Sequence, residues 1–350
     1  MNKYVLYFFT ACMLSACTEK KGQGSNDVVI ADGQMPNLIK DKNKTLQLVY
    51  GSGDSIQYTF STDNGTTFSK PSLISILPHL AASHTRGPQI AATSDGLVVT
   101  ACNASGNIYS YVKGAAGTWQ QTGKVNDRDT VAKENLMALA ADGNLAYAVW
   151  LDLRDKHNKI YGSQSTDGGK TWSKNQLVYA SPDTTVCECC KPSVQVKGKN
   201  VYVMFRNWIN GSRDMYVVQS NDGGKSFAEA QKLGTGSWKL DGCPMDGGGL
   251  ALNEKGEVQT VWRREATIYA STVGTPEAEI GQGKGCTLES VNGKNVYAWT
   301  ENGNVTVSTS QGQKKILGEG SWPQLKALNS GNVICVWEHE KQIHAAVVQL

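Results

Sequence analysis

One eight-residue pattern occurs three times: Ser61-Thr-Asp-Asn-Gly-Thr-Thr-Phe68, Ser165-Thr-Asp-Gly-Gly-Lys-Thr-Trp172 and Ser220-Asn-Asp-Gly-Gly-Lys-Ser-Phe227. Each copy reads Ser-x-Asp-x-Gly-x-Thr/Ser-aromatic, the Asp-box. In such a turn the Asp carboxylate accepts backbone N–H bonds, the Gly permits positive φ, and the aromatic ring packs between sheets. Three copies, each following a β-rich run, restrict the chain to a repeated β-sheet architecture. The same local role makes Asp63, Asp167 and Asp222 structural rather than catalytic.

Each box belongs to a longer unit of strand, Asn/Asp-Gly-type turn, aromatic-rich strand, third strand, box and fourth strand. Residues 138–179 contain one whole copy, and related units begin near Pro36, Pro88, Pro192, Gly247, Cys286 and Pro323. Four short strands at this period predict an all-β chain folded as a β-propeller of four-stranded blades with Asp-box turns. The repeat count gives seven blades, with six as the alternative. The last unit has only three strands, and Val28-Val29-Ile30-Ala31 is placed to supply the fourth and close the ring. Residues 28–350 thus read as a single propeller domain.

The first residues carry an export signal. Lys3 precedes a short, mostly apolar run from Tyr4 to Met13, followed by Leu14-Ser15-Ala16-Cys17 and a polar stretch. A basic start, a short apolar core and small residues before a cut mark a secretory signal. Cysteine directly after Leu-Ser-Ala resembles the bacterial lipoprotein pattern. That pattern makes 1–17 the signal peptide ending at an acylated Cys17, and 18–27 a tether. The expected location is the bacterial cell membrane or outer membrane, held through lipid alone, since no later segment is apolar enough to span. Net charge is +3 with both signs interspersed. No basic stripe tracks a nucleic-acid backbone, so nucleic acid is not expected as a partner. A monomer is expected.

Propeller geometry sorts residues between faces. Loops joining second to third strands, and loops joining blades, open on the face opposite the box turns. That mouth should gather Asp152, Arg154, Arg206, Arg263, Arg264, Glu301, Glu338 and His339 from strand ends. The inter-blade loops add His79, His84 and Arg86, then Cys187, Cys189 and Cys190, then Cys243 and Cys286. Concave mouths of this kind favour ligands.

The boxes, with the segments "TRGPQIAATSDGLVVTA", "KPSVQVKGKNVYVMFRNW" and "VWRREATIYAS", resemble the bacterial sialidases over nearly the whole mature chain. The resemblance implies a cluster of three arginines gripping a substrate carboxylate bidentately: Arg86, Arg206 and Arg264, the last preferred over Arg263, with Glu301 bracing the first. It also implies an acidic glycan or glycoconjugate of sialic-acid type as partner. The catalytic positions depart from the family. Cys190 stands where the assisting Glu belongs, Gly285 or Cys286 where the Tyr nucleophile belongs, and Asn103 where the acid/base Asp belongs. Asp152, one blade later, is the nearest acid for a catalytic role. An arginine clamp without that machinery binds acidic sugars without cleaving them by the usual route.

The cysteines admit two readings. In an exported protein they brace loops as disulfides, pairing Cys190 or Cys187 with Cys243 or Cys286. Alternatively Cys187, Cys189, Cys190, Cys243 and Cys286 form a thiolate-rich site suited to Cu or Zn, joined by His79 or His84. Three functions follow: a sialidase-like glycosidase, a non-catalytic binding propeller, or a metal or redox protein built on the cysteine mouth.

Overall fold

The computed structural model describes residues 27–309 and 312–350; the signal segment with Cys17 lies outside them. The described chain contains 28 strands in seven four-stranded antiparallel sheets. Six sheets are each built from consecutive strands, in residues 34–76, 89–124, 137–179, 193–232, 249–282 and 284–319, here blades 1 to 6. Blade 7 takes three strands from residues 321–348, and its outer strand is Val28–Asp32 from the other end of the chain. Val28 pairs with Ala345 and Asp32 with Gln342, so the ring closes as expected. The first strand of each blade neighbours the first strand of the next, all the way round. Six blades, the alternative, is overturned.

The blades stack because both faces of each second strand are apolar. Val49, Ala101, Tyr147, Val203, Val261, Ala298 and Val336, one from each blade, are fully buried. No single central core exists. Separate apolar clusters fill the spaces between adjacent blades, such as Tyr147, Val149 and Leu151 with Val203 and Phe205 between blades 3 and 4. In the space between blades 7 and 1, Leu46, Leu48 and Tyr50 meet Ile334, Val336 and Ile343. Burying an apolar side chain of this size contributes about 1.5–3 kcal/mol.

The Asp-boxes behave as local chemistry dictates. In the third, Asp222 Oδ1 accepts the Ser226 N–H at 3.0 Å, Oδ2 accepts the Ser226 hydroxyl at 2.6 Å, and Ser220 Oγ accepts the Gly224 N–H at 2.9 Å. Side-chain and backbone donation from Thr67, with a bond from Ser61, holds the exposed Asp63 carboxyl down at about 2. Gly224 has φ +89°, and a Cβ there would stand 2.0 Å from Tyr147 Cε2 of blade 3. The glycine therefore serves the turn and the blade contact together. Phe227 meets the same tyrosine edge-on, with ring centroids 6.0 Å apart.

Candidate functional site

Side-chain alternation decides what the strand ends present. In a strand, residues two apart share a face, so Asp152 lies on the same face as the buried Trp150, between blades. Asp152 is 0 % exposed and its four hydrogen bonds are internal. Oδ2 accepts from Trp150 Nε1 at 2.8 Å and Arg154 Nη2 at 2.9 Å; Oδ1 accepts from Arg154 N at 2.9 Å and Arg154 Nε at 2.8 Å. A carboxylate so enclosed braces a loop, and the catalytic expectation for Asp152 gives way to a structural role.

The same parity governs the other rim residues. Glu301 shares its face with Trp299, accepts that indole N–H at 3.2 Å and lies 3.9 Å from Lys314 Nζ; among the described residues it braces no arginine. Arg264 shares its face with Trp262. It forms a two-pronged pair with Glu277 at 2.8 and 2.9 Å and stacks on Tyr269, 4.0 Å from the ring centre. Arg263, on the opposite face, donates from Nη2 to the Pro244 carbonyl at 3.3 Å, and its Nε lies 3.7 Å from Asp246 Oδ2.

Arg206 occupies the matching parity of blade 4 but is 1 % exposed. Its guanidinium donates to three carbonyls, of Asp246 at 3.0 Å, Arg213 at 2.7 Å and Arg263 at 2.8 Å. It ties the loop before blade 5 to the end of blade 4. Arg86, partly exposed, donates to the carbonyls of Glu134 at 2.7 Å and His84 at 3.3 Å. Beside it, burial pushes the Glu134 carboxyl up, against the pull of Arg86. The three arginines named from the sequence thus do not form one clamp: Arg206 serves the backbone and Arg264 serves Glu277.

The cysteines do converge. Cys189 is bonded to Cys243, with Cα atoms 6.2 Å apart, whereas Cys187, Cys190 and Cys286 are buried free thiols. A disulfide was one of the two expected readings, and the cysteine bonded to Cys243 is Cys189 rather than Cys187 or Cys190. The sulfurs of Cys187, Cys189 and Cys190 lie within 4.8 Å of one another. With Cys189 committed to the disulfide, that group offers two thiols, fewer than a closed tetrahedral site requires. His79 and His84 are exposed on the loop after blade 1 and lie outside this group.

The feature that sequence reasoning missed is the channel itself. A cavity of about 200 Å³ is lined by residues from the first strands of all seven blades, which makes it the propeller's central channel. Three of those strands carry bulges near their starts, between Gln34 and Asn37, Lys284 and Thr287, and Ser321 and Gln324. At them Met35, Gly285 and Trp322 adopt positive φ, of 53°, 64° and 58°. Bulges re-aim side chains, and a tryptophan in this conformation is strained. Here Trp322 and Met35 line the cavity, with Gln89, Lys191, Asp246 and Cys286.

Two cations line that cavity, and one of them, Lys326, is paired with Glu289 at 2.8 Å; the other is Lys191. Its ammonium donates to Gln89 Oε1 at 2.9 Å and, among the described residues, forms no ion pair with a carboxylate. Burial draws its pKa down to about 8. A Cβ at Gly247 would stand 1.8 Å from the Lys191 carbonyl oxygen, so the glycine run before blade 5 permits this close approach. Asp246 pairs inward instead: its Oδ2 accepts the Gly285 N–H at 2.8 Å. The Cys286 thiol is pushed well up by burial and then by the Asp246 charge. Lys191 follows the cysteine run directly in sequence and Trp322 opens the last repeat, but neither position signals that it faces the channel.

A family model described as BNR repeat-like domain matches residues 10–187 and 118–240. No curated protein matches in sequence. Among solved structures, an ulvan lyase of a polysaccharide lyase family superposes with a TM-score of 0.58 at 10 % identity, covering 92 % of this chain and 96 % of its own. Virginiamycin B lyase from Staphylococcus aureus gives 0.56 at 11 %, covering 93 % and 98 %. The α-L-arabinofuranosidase from Fusarium graminearum gives 0.54 at 12 %, covering 91 % and 93 %. At these identities the shared property is the fold, and these proteins carry different chemistries on it. The three Asp-boxes, the seven-bladed ring and the family match together establish that the chain belongs to the BNR repeat-like family.

Proposed function

We propose that this propeller binds acidic carbohydrate in the mouth of its central channel, held at the bacterial envelope by an acylated Cys17 and acting as a monomer. The observation that carries the reading is the meeting of Lys191 and Trp322 in one cavity. Among the described residues the first is a cation without a carboxylate partner, and the second is an aromatic side chain held there by a strained backbone. An ammonium suits a sugar carboxylate, and an aromatic face suits the apolar side of a pyranose ring. Two of the similar structures support the class. The ulvan lyase is bound to a glucuronate-rhamnose sulfate ligand, and the arabinofuranosidase to an iminosugar inhibitor. The sialic-acid type of terminal sugar, implied by the resemblance to sialidases, is the specific ligand proposed.

The mouth binds rather than hydrolyses by the retaining sialidase route. Asp152 is enclosed, and Cys190 and Cys286 are thiols whose pKa burial pushes well up, poor substitutes for a nucleophile and its assistant. The test is calorimetric titration of full-length mature protein with sialic-acid-terminated, glucuronate-terminated and neutral oligosaccharides. Acidic sugars should bind and neutral ones should not. Lys191→Met should weaken binding at least about tenfold, in line with losing a charged hydrogen bond. Equal affinity for neutral sugars, or wild-type affinity in Lys191→Met, would sink the reading.

A further inference from the structure

Four sulfurs stand together beside the mouth, and the carbohydrate reading does not use them. Cys187 and Cys190 have Cys-x-x-Cys spacing, and their sulfurs lie 3.3 Å apart. Cys187 Sγ also lies 3.8 Å from Cys189 Sγ, the inner sulfur of the bond to Cys243. Cys187 and Cys190 are buried, at 0 % and 1 % exposure, whereas Cys243 is exposed. A buried dithiol therefore touches a disulfide whose other end reaches solvent.

The charges around this group favour a thiolate over a bound cation. Arg213 Nη1 donates to Cys187 Sγ at 3.2 Å, and Glu188 stands 3.7 Å from the same Arg213 nitrogen. The hydrogen bond from Cys190, then the charges of Arg206 and Arg213, outweigh burial and bring Cys187 down to about 6. Burial and the neighbouring Cys187 push Cys190 well up, against the pull of Arg206. One low and one high thiol at this spacing is the arrangement that thiol–disulfide exchange uses. A metal ion between the sulfurs would have to sit against Arg206 and Arg213.

We propose that Cys187, Cys190, Cys189 and Cys243 form a thiol–disulfide exchange site in which the disulfide moves between an outer position, Cys189–Cys243, and an inner one, Cys187–Cys190. In the first step the Cys187 thiolate attacks Cys189 Sγ. The Cys187–Cys189 bond forms, the Cys189–Cys243 bond breaks, and its electron pair leaves on Cys243. In the second step Cys190 gives up its proton and attacks Cys187 Sγ. The Cys187–Cys190 bond forms, and Cys189 leaves with the electron pair and takes up that proton. Two sulfurs are oxidised and two reduced at the start and at the end, so no outside oxidant is needed. The exposed Cys243 is the sulfur at which an external thiol or disulfide would join.

The experiment uses mature full-length protein equilibrated in a buffer of reduced and oxidised glutathione, quenched with acid, alkylated and mapped by mass spectrometry. Wild type should yield two one-disulfide species. One has Cys243 bonded, and the other has Cys243 alkylated with a disulfide inside the peptide containing Cys187 and Cys190. Cys187→Ser and Cys190→Ser should each reduce the second species at least tenfold, and Cys243→Ser should make it the main form. The rate of interconversion should rise about tenfold per pH unit below about 6 and flatten above it. The wild-type map needs no variant to fold. Only the outer disulfide in wild type under every glutathione ratio would overturn the proposal. So would retention of one equivalent of Zn by reduced protein, with Cys187 and Cys190 protected from alkylation.

Discussion

Changing Asp152→Asn separates a structural carboxylate from a catalytic one. The substitution keeps the shape of the side chain but replaces one oxygen with an amide nitrogen that cannot accept. Whichever way the amide turns, two of the four donors at 2.8–2.9 Å, from Trp150 and Arg154, lose their acceptor. Breaking a buried charge pair by neutralising one partner costs about 3–5 kcal/mol. Arg154 keeps Asn175 Oδ1 at 2.9 Å and Asp127 at 3.3 Å, which places the cost near the lower end, about 3 kcal/mol. Equilibrium unfolding in urea, followed by tryptophan fluorescence, measures it directly. Below its unfolding midpoint the variant should bind acidic oligosaccharide as wild type does. A variant as stable as wild type within about 0.5 kcal/mol would refute the account of the buried network. Wild-type stability with loss of binding or of any turnover would restore Asp152 to the site.

Gly224→Ala should destabilise the protein by about 2–4 kcal/mol, combining positive-φ strain with overpacking against Tyr147. Gly198→Ala, at φ +57° with nothing within 4 Å of the added methyl, should cost only about 1 kcal/mol in the same urea titration. Lys191 has a folded pKa of about 8 against an ordinary 10.5. Between those values the unfolded chain binds the extra proton, so the stability of the free protein should rise with pH across that window. Affinity for an acidic sugar should fall through the same window as the ammonium is lost, which calorimetry at stepped pH checks. Cys17→Ser should leave the protein unprocessed or unanchored, read by fatty-acid labelling and membrane partitioning; normal labelling would refute the lipoprotein assignment.

The ring was legible because its information is local and repeated. Three boxes, the 138–179 unit and a final repeat short of one strand sufficed to predict seven blades and the role of Val28–Ala31. The site was harder to read because it depends on parity and on bulges. Trp150-x-Asp152, Trp262-x-Arg264 and Trp299-x-Glu301 share one spacing, and a period of two puts each polar residue on the same face as its buried tryptophan. Applying that rule to the sequence would have favoured Arg263 over Arg264. Nothing comparable was available for Trp322 or Met35, whose direction is set by a bulge that no residue type marks. The cysteine pairing depended on loop paths between blades, so the meeting of Cys187, Cys189, Cys190 and Cys243 was predictable but the choice of Cys189 was not.

The strand Val28–Asp32 also has a consequence for how the molecule is made. Its partner, Gln342–Val348, lies at the opposite end of the described chain, and Asp27 meets His344 across a separation of 317 residues. A chain emerging N-terminus first presents this strand before any of the blades, yet must leave it unpaired until the last one forms. Closing so long a loop is entropically slow, and an unpaired strand edge invites pairing with another chain meanwhile. Val28 and Val29, exposed even in the finished ring, make the waiting strand apolar. Six blades can assemble from neighbouring residues as they appear, whereas the seventh joins the two ends of the chain. Final closure is therefore the step at which crowding, or a nearby second copy, has the greatest influence on the outcome.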